Sequence, residues 1–268
     1  GAFLNAPFIN LLISLYEWRL AFVILGAVSG LGLLVAALTM AHTPEERGLK
    51  PYGSEEAAAS RADSAAAPSG EFALRQALST GTFRWLLLVV LLGQMPIMFL
   101  SVHLVAYATD QGVSRAAAAG ALGLLGLLSI PGRLIMGVGV DRIGWKRSLA
   151  LANYGAAAAV LAMLTIRSPL TLYLIVGTYG FFHGARMPPI AGLTSFFFGT
   201  RSLGALLGLI LGTGNFVGAF APLLAGVVFD RLGSYQAVVA LGALSFAVAG
   251  FSLRFIRPPH RQPGTPTP

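Results

Sequence analysis

The sequence predicts an all-α membrane protein, and three observations carry that prediction. Of its 268 residues, 56% are apolar and only 10% charged, against roughly 25% charged in an ordinary soluble domain. A water-soluble globule would have too little polar surface to cover itself. The apolar residues gather into runs of about 20, the length needed to cross a hydrocarbon core of about 30 Å. A short string also occurs twice, GVGVDRIG at 137–144 and GVVFDRLG at 226–233, so the helices carry an internal repeat.

Composition excludes several function classes. The absence of cysteine removes disulfide frameworks, thiolate zinc sites and Cys nucleophiles together. The net charge of +8 could suggest nucleic acid, but the basic residues sit between apolar runs, where membrane topology explains them. His103 and His183 are too sparse for a metal centre, and no acid–base pair stands within a span. The expectation is no cofactor, no metal, no nucleic-acid partner and no enzymatic activity.

Seven spans are expected, at approximately 20–41, 85–108, 116–140, 148–166, 170–198, 204–229 and 236–257. Residues 1–15 precede them as an apolar stretch too short to cross. They open with Gly1 in mid-helix and without a basic n-region, so they read as part of an interrupted helix and not as a signal peptide. Counted by alternate loops, twelve Lys and Arg fall on one side and four on the other. That bias places the 42–84 linker and the C-terminus in the cytoplasm. Within the linker, EEAAASRADSAAAPSG is small, polar and of low complexity, as a tether would be; EFALRQALST then reads as a short amphipathic lead-in to Trp85 at the interface.

The repeated string follows the second helix of each three-helix group. Its copies therefore fall on opposite membrane faces, Asp141 and Arg142 inside, Asp230 and Arg231 outside, as an inverted three-plus-three repeat requires. Such repeats are a transporter device. Gly137 should let a neighbouring helix approach, Gly144 should permit a tight reversal, and Lys146 with Arg147 should anchor the next helix at the headgroups.

Here GVGVDRIGWKR resembles the G-x-x-x-D-R-x-G-x-K/R loop signature of the major facilitator superfamily. EWRLAF, TPEERGL, FALRQAL, HLVAYATDQG and FDRLGSYQ are similar to the monocarboxylate and oxalate–formate branch. The resemblance implies the facilitator fold with a partial helix 5 and helices 6–12. Residues 1–41 would be a remnant of the N-terminal bundle, 42–84 the linker, 85–257 a complete C-terminal six-helix bundle and 258–268 a cytoplasmic tail. It also implies that Gly137, Asp141, Arg142, Gly144 and Lys146, with Asp230 and Arg231 in the second copy, form a latch pairing acid and base across moving helices.

Two arginines lie inside spans, where each costs several kcal/mol, of order 3. Arg133 stands eight residues before Asp141, about 12 Å deeper at 1.5 Å per residue, with Ser129 and Gly126 on its face. An Arg at this place resembles the carboxylate anchor of the monocarboxylate branch. The animal members place an Asp one turn earlier, where this chain has Ser129, which leaves an Arg–Asp proton relay in doubt. Arg186 is near the midplane. Tyr179, His183 and Arg186 at i, i+4 and i+7 form one polar stripe, and Pro188 and Pro189 free the carbonyls of Gly184 and Ala185. Broken helices at mid-depth are where transporters bind cargo. The structural alternative is a kink whose carbonyls Arg186 itself satisfies.

Gln94, Met98 and Ser101 share a face of the third span, counting residues 1–15 as the first, and could line a cavity. Asn215 is central in the seventh, where oxalate-transporting relatives carry a Lys that this chain lacks. His103 and Tyr107 read as interface anchors. Gly204, Gly208 and Gly212 read as a close-packing ridge. The second, fifth and eighth spans, with Asn153 and Tyr154 among their few polar groups, suit positions facing lipid. No span holds Asp or Glu, so the interior is positive and favours an anion.

The expected function is a proton- or exchange-coupled carrier of small carboxylates in the plasma (inner) membrane, with Arg133, Arg186, His183, Tyr179, Asn215, Gln94 and Ser101 as substrate contacts. Protons, the lipid bilayer and the N-terminal half of the same protein would be its partners. A carrier of neutral or cationic compounds is the alternative, and a membrane scaffold or sensor stands behind it. If alternating access needs two bundles, these 268 residues reconstituted alone should show no saturable uptake; observing it would reject the reading as half of a carrier.

Overall fold

The computed structural model of the chain describes residues 12–13, 15–39 and 72–259. The amphipathic lead-in is described from Phe72 onward; most of the expected linker, the first residues and the last nine lie outside this range. The chain divides into two compact units, residues 1–67 and 68–268. In the first, α1 (Trp18–Thr39) is apolar all round after Arg19 except for Ser29 and Thr39, and Ala21 is its buried residue. Leu31, Leu33 and Leu38 are each more than 60% exposed. A helix hydrophobic all round suits a lipid solvent, since water would reject it.

The second unit begins with α2 (Leu74–Ser79), a single short helix. The Phe72 amide donates to the Phe198 carbonyl at 3.1 Å, and the two rings meet edge to face, so this lead-in docks on a helix end. Next comes α3 (Gly81–Asp110), whose N-cap Thr80 accepts from the Phe83 amide. Then follow α4 (Arg115–Ile143), α5 (Trp145–Ala162, extended by a 3-10 turn at Met163–Thr165) and α6 (Pro169–Ala185). The unit ends with α7 (Met187–Phe198), α8 (Leu203–Gly218), α9 (Ala221–Leu232) and α10 (Gln236–Ser252, extended by Leu253–Phe255). Five of the seven expected spans arrive as one helix each. The sixth and seventh of the eight apolar stretches are broken, at Arg186 and at Ala219–Phe220, each break just ahead of prolines that cannot donate to the preceding turn.

Helix pairing displays the repeat. The broadest contacts join α4 to α6, α5 to α10, α3 to α8, α3 to α10 and α5 to α6. Exchanging the group α3, α4, α5 with the group α6–α7, α8–α9, α10 turns α4–α6 into α8–α3 and α3–α10 into α6–α5. It leaves α5–α10 unchanged. The repeated strings close equivalent helices: Gly144 ends α4 at φ +80° and Gly233 ends α9 at φ +64°, a left-handed region that glycine enters without steric cost.

Two packing expectations need correction. A Cβ on Gly137 would meet nothing within 4 Å, and the same holds for Gly204, Gly208 and Gly212, so none of them sits at a close helix approach among the described residues. The approach lies elsewhere. A Cβ on Gly132, Gly180 or Gly184 would strike the backbone of Phe181, Leu125 or Ser129 across the α4–α6 seam. On α8 the close face belongs to Gly214 and Gly218, which lie against Val90, Gln94 and Met98 of α3. Spacing of four identified glycine-rich faces but could not say which face met a neighbour.

Overpacking a tight seam costs about 1–3 kcal/mol. Gly184→Ala should therefore lower the detergent unfolding temperature by several degrees, while Gly137→Ala, facing open space, should leave it unchanged or raise it slightly. Equal effects of the two substitutions would show that the α4–α6 seam is not what holds the bundle.

Candidate functional site

Arg186 is the joint between α6 and α7. Its backbone is still near helical (φ −75°, ψ −29°), but Pro188 and Pro189 follow, so the α6 hydrogen-bond ladder stops there. The side chain is 1% exposed. Its Nε donates to Asn153 Oδ1 on α5 at 3.1 Å, and its guanidinium carbon lies 5.1 Å from the centre of the Phe246 ring on α10. The third wall is α3, where Gly93 leaves the room: any Cβ there would collide with the guanidinium. Nη1 and Nη2 are buried with no hydrogen-bond partner among the described residues.

The expected stripe is present. The Tyr179 and His183 rings are 6.0 Å apart, Tyr179 also lies 6.2 Å from Phe246, and His183 Nδ1 is buried and unpartnered. The freed carbonyls are not what Arg186 binds, since its Nε goes to Asn153. Arg133, by contrast, is exposed on α4 and within electrostatic reach of His183. The two arginines thus occupy different settings, one at a surface and one enclosed, and the charges of both reach His183. Ser129 is spent on its own helix, donating to the Gly126 carbonyl at 2.7 Å.

On the other side, Gln94 Nε2 donates to Asn215 Oδ1 at 2.6 Å, tying α3 to α8. Gln94 is buried while Asn215 is exposed. Ser101 is exposed and donates to the Ile97 carbonyl at 2.7 Å. In the loop motif, Asp141, Arg142, Asp230 and Arg231 are exposed. Lys146 Nζ donates to the Ile256 carbonyl at 2.7 Å, so it binds the end of α10.

Three roles escaped the sequence reading. Asn153 is fully buried and donates to the Leu149 carbonyl at 2.9 Å while accepting from Arg186; the fifth span is not merely lipid-facing. A lone Asn amid alanines was the available signal, because a polar group that cannot snorkel needs a partner. His103 does more than anchor an interface. Its Nδ1 is 3.0 Å from the Tyr235 hydroxyl and its Nε2 is 3.1 Å from the Pro222 carbonyl. The Pro222 carbonyl can only accept, so in the neutral ring Nε2 carries the proton and Nδ1 accepts from the Tyr235 hydroxyl. Tyr107 likewise bonds inward, donating to the Met163 carbonyl at 2.7 Å.

Comparison with known proteins adds a lineage to this geometry. A family model described as Major Facilitator Superfamily matches residues 1–222. Monocarboxylate transporter 12 of Rattus norvegicus is 28% identical over 100% of this chain and 59% of its own length. The Xenopus laevis protein of the same name is also 28% identical, over 95% of the chain and 56% of its own length. The chain therefore spans between half and two-thirds of the curated relatives it matches. The E. coli fucose:proton symporter superposes with a TM-score of 0.58 at 19% identity, over 69% of this chain and 46% of that one. A facilitator-superfamily structure in the outward conformation gives 0.58 at 20% identity, over 91% and 57%. At such identities the two structures speak for the fold alone.

If Asn153 holds Arg186 in place, Asn153→Ala should leave a buried charged donor unsatisfied and cost about 1–3 kcal/mol. Thermal unfolding in detergent measures it. Asn153→Ala with an unchanged unfolding temperature would show that the bond contributes nothing to folding.

Proposed function

The chain belongs to the Major Facilitator Superfamily, and from that premise we propose that it carries small organic anions of the monocarboxylate class by alternating access, coupled to protons or to exchange. It is an integral, multi-pass membrane protein with the fold of a transporter, not of an enzyme. The observation that carries the proposal is the enclosed Arg186 guanidinium with two unpaired nitrogens. A buried charge is ordinarily neutralised or fully hydrogen-bonded. The described acids, Glu17, Asp110, Asp141 and Asp230, all lie at or beyond helix ends. A carboxylate cargo would supply the missing acceptors, because a guanidinium offers two parallel donors to two carboxylate oxygens.

In this reading Arg133 meets the anion from the exposed face of α4, and Arg186 receives it when the α6–α7 joint moves. His183 and Tyr179 lie along that route, and Gln94, Asn215 and Ser101 line the α3–α8 side. The names of the monocarboxylate relatives agree with this chemistry. A second bundle of the same protein supplies the opposite wall, the loop motif latches the moving helices, and the basic bias of the loops places the linker and C-terminus in the cytoplasm of a plasma-membrane carrier. A second reading has its own observation. The Asn153 bond could mean that Arg186 only ties the joint to α5, in which case the cargo is neutral or cationic.

Substituting Arg186 separates the two readings, measured as anion-dependent thermal shift and proteoliposome uptake on the same preparations. Arg186→Lys keeps the charge and loses the fork, so the half-saturation concentration for a monocarboxylate should rise about ten-fold, roughly 1.4 kcal/mol. Arg186→Gln should remove most anion uptake while the protein stays inserted. Normal carriage of carboxylates by the Gln variant would refute the role assigned to this residue, and loss of stability without selective loss of anion binding would favour the tie.

A further inference from the structure

We infer that the bundle also holds an anionic phospholipid, in a cavity whose lining includes none of the residues of the arginine site. The cavity has a volume of about 450 Å³ and lies where the end of α4, the start of α5, the end of α7 and the segment after α10 meet. Its walls are apolar. Ile143 closes α4, Leu193, Phe196 and Phe197 form the last turns of α7, and Ile256 and Pro258 follow α10. Ile143 and Phe196 are 39% and 42% exposed, so the apolar wall continues outward to the molecular surface.

The start of α5 is basic. Trp145, Lys146 and Arg147 lie in succession along the cavity. Lys146 spends one hydrogen on the Ile256 carbonyl, and an ammonium carries three. Arg257, between two wall residues, is close enough for its charge to act on Lys146. Arg147 and Arg257 are exposed. Three cations stand against one acid on the adjoining helix end, Asp141, so the rim is net positive.

That combination fits one occupant better than its rivals. A free phosphate would use the rim and gain nothing from the apolar walls. The chain's own residues 260–268 carry His260 and Arg261 and no acid, so their charge is wrong for this rim. A phospholipid with a net negative headgroup satisfies both halves: its phosphate meets the cations and an acyl chain lies along Phe196 and Ile143. Basic pockets between membrane helices recognise anionic headgroups in this way. The excess of Lys and Arg on this side puts the cavity in the leaflet richer in such lipids.

Trp145 reports on the site directly. With Trp18 and Trp85 replaced by Phe, it is the remaining tryptophan of three, and lipids brominated on the acyl chain will quench it on contact. In detergent micelles, brominated phosphatidylglycerol should quench at several-fold lower mole fraction than brominated phosphatidylcholine. Arg147→Gln and Arg257→Gln should each reduce that preference about five-fold, which is about 1 kcal/mol per basic residue, whereas Arg147→Lys and Arg257→Lys should keep it. Raising salt from 0.05 to 0.5 M should erase the preference in the otherwise unmodified chain, by screening, which keeps the test independent of whether the Gln variants fold. Equal quenching by the two lipids, a salt-independent preference, or unaltered preference in folded Gln variants would overturn the inference. So would full competition by inorganic phosphate or glycerol 3-phosphate at the concentration of the lipid, because the apolar walls would then play no part.

Discussion

The rest of this bundle is arranged around a guanidinium in a place where water cannot reach it. Arg186 sits at the break between α6 and α7, and every element that touches it has given something up to accommodate it. On α3, Gly93 has no side chain, because any Cβ would collide with the guanidinium. On α5, an Asn stands among alanines to accept the Nε hydrogen. On α10, Phe246 presents its ring. The break has the same origin, since two consecutive prolines remove the amides that would have continued α6. Three helices from both halves of the repeat therefore converge on one side chain, and the joint cannot move without changing what that side chain touches.

The inverted repeat explains why those elements are available. Exchanging the two three-helix groups maps the α4–α6 seam onto α8–α3, and the glycines divide the labour accordingly. Gly132, Gly180 and Gly184 bring the backbones of α4 and α6 together, while Gly214 and Gly218 let α8 lie on α3. The two seams differ in what they hold. The first runs beside Arg133 and His183, and the second is crossed by the Gln94–Asn215 bond. A structural duplication has thus acquired one cationic side and one neutral, amide-lined side. In the proposed reading the first side would meet a carboxylate and the second the variable remainder of a small organic acid.

Much of this was legible because a membrane simplifies the code. Apolar runs located the spans, the prolines located the break at Arg186, and the repeated string located two helix ends whose glycines both adopt positive φ. What the sequence could not supply was the partner across a seam. Gly204, Gly208 and Gly212 stand four residues apart and face open space, whereas Gly180 and Gly184, also four apart, are pressed against backbone. Asn153 looked lipid-facing for the same reason. Periodicity says which residues share a face of one helix, and not which neighbour that face meets. Lys146 and His103 followed suit: their hydrogen bonds span 110 and 132 positions, beyond any local pattern.

The energetics clarify why two arginines in one bundle can have such different exposure. Placing an Arg at the centre of a membrane helix costs about 3 kcal/mol on insertion scales. A hydrogen bond to a charged group returns about 1.5–3 kcal/mol, and a desolvated cation–π contact up to about 2 kcal/mol. The Asn153 bond and the Phe246 ring together therefore come close to offsetting the cost of Arg186 without using Nη1 or Nη2. A counter-ion built into the protein would have lowered the energy further, but it would have occupied those two nitrogens permanently. In the proposed reading, a site that takes up and releases an anion needs a cation that is stable enough to fold around and still has donors to give. Arg186 meets that condition from inside the bundle. Arg133 meets it at an exposed face of α4.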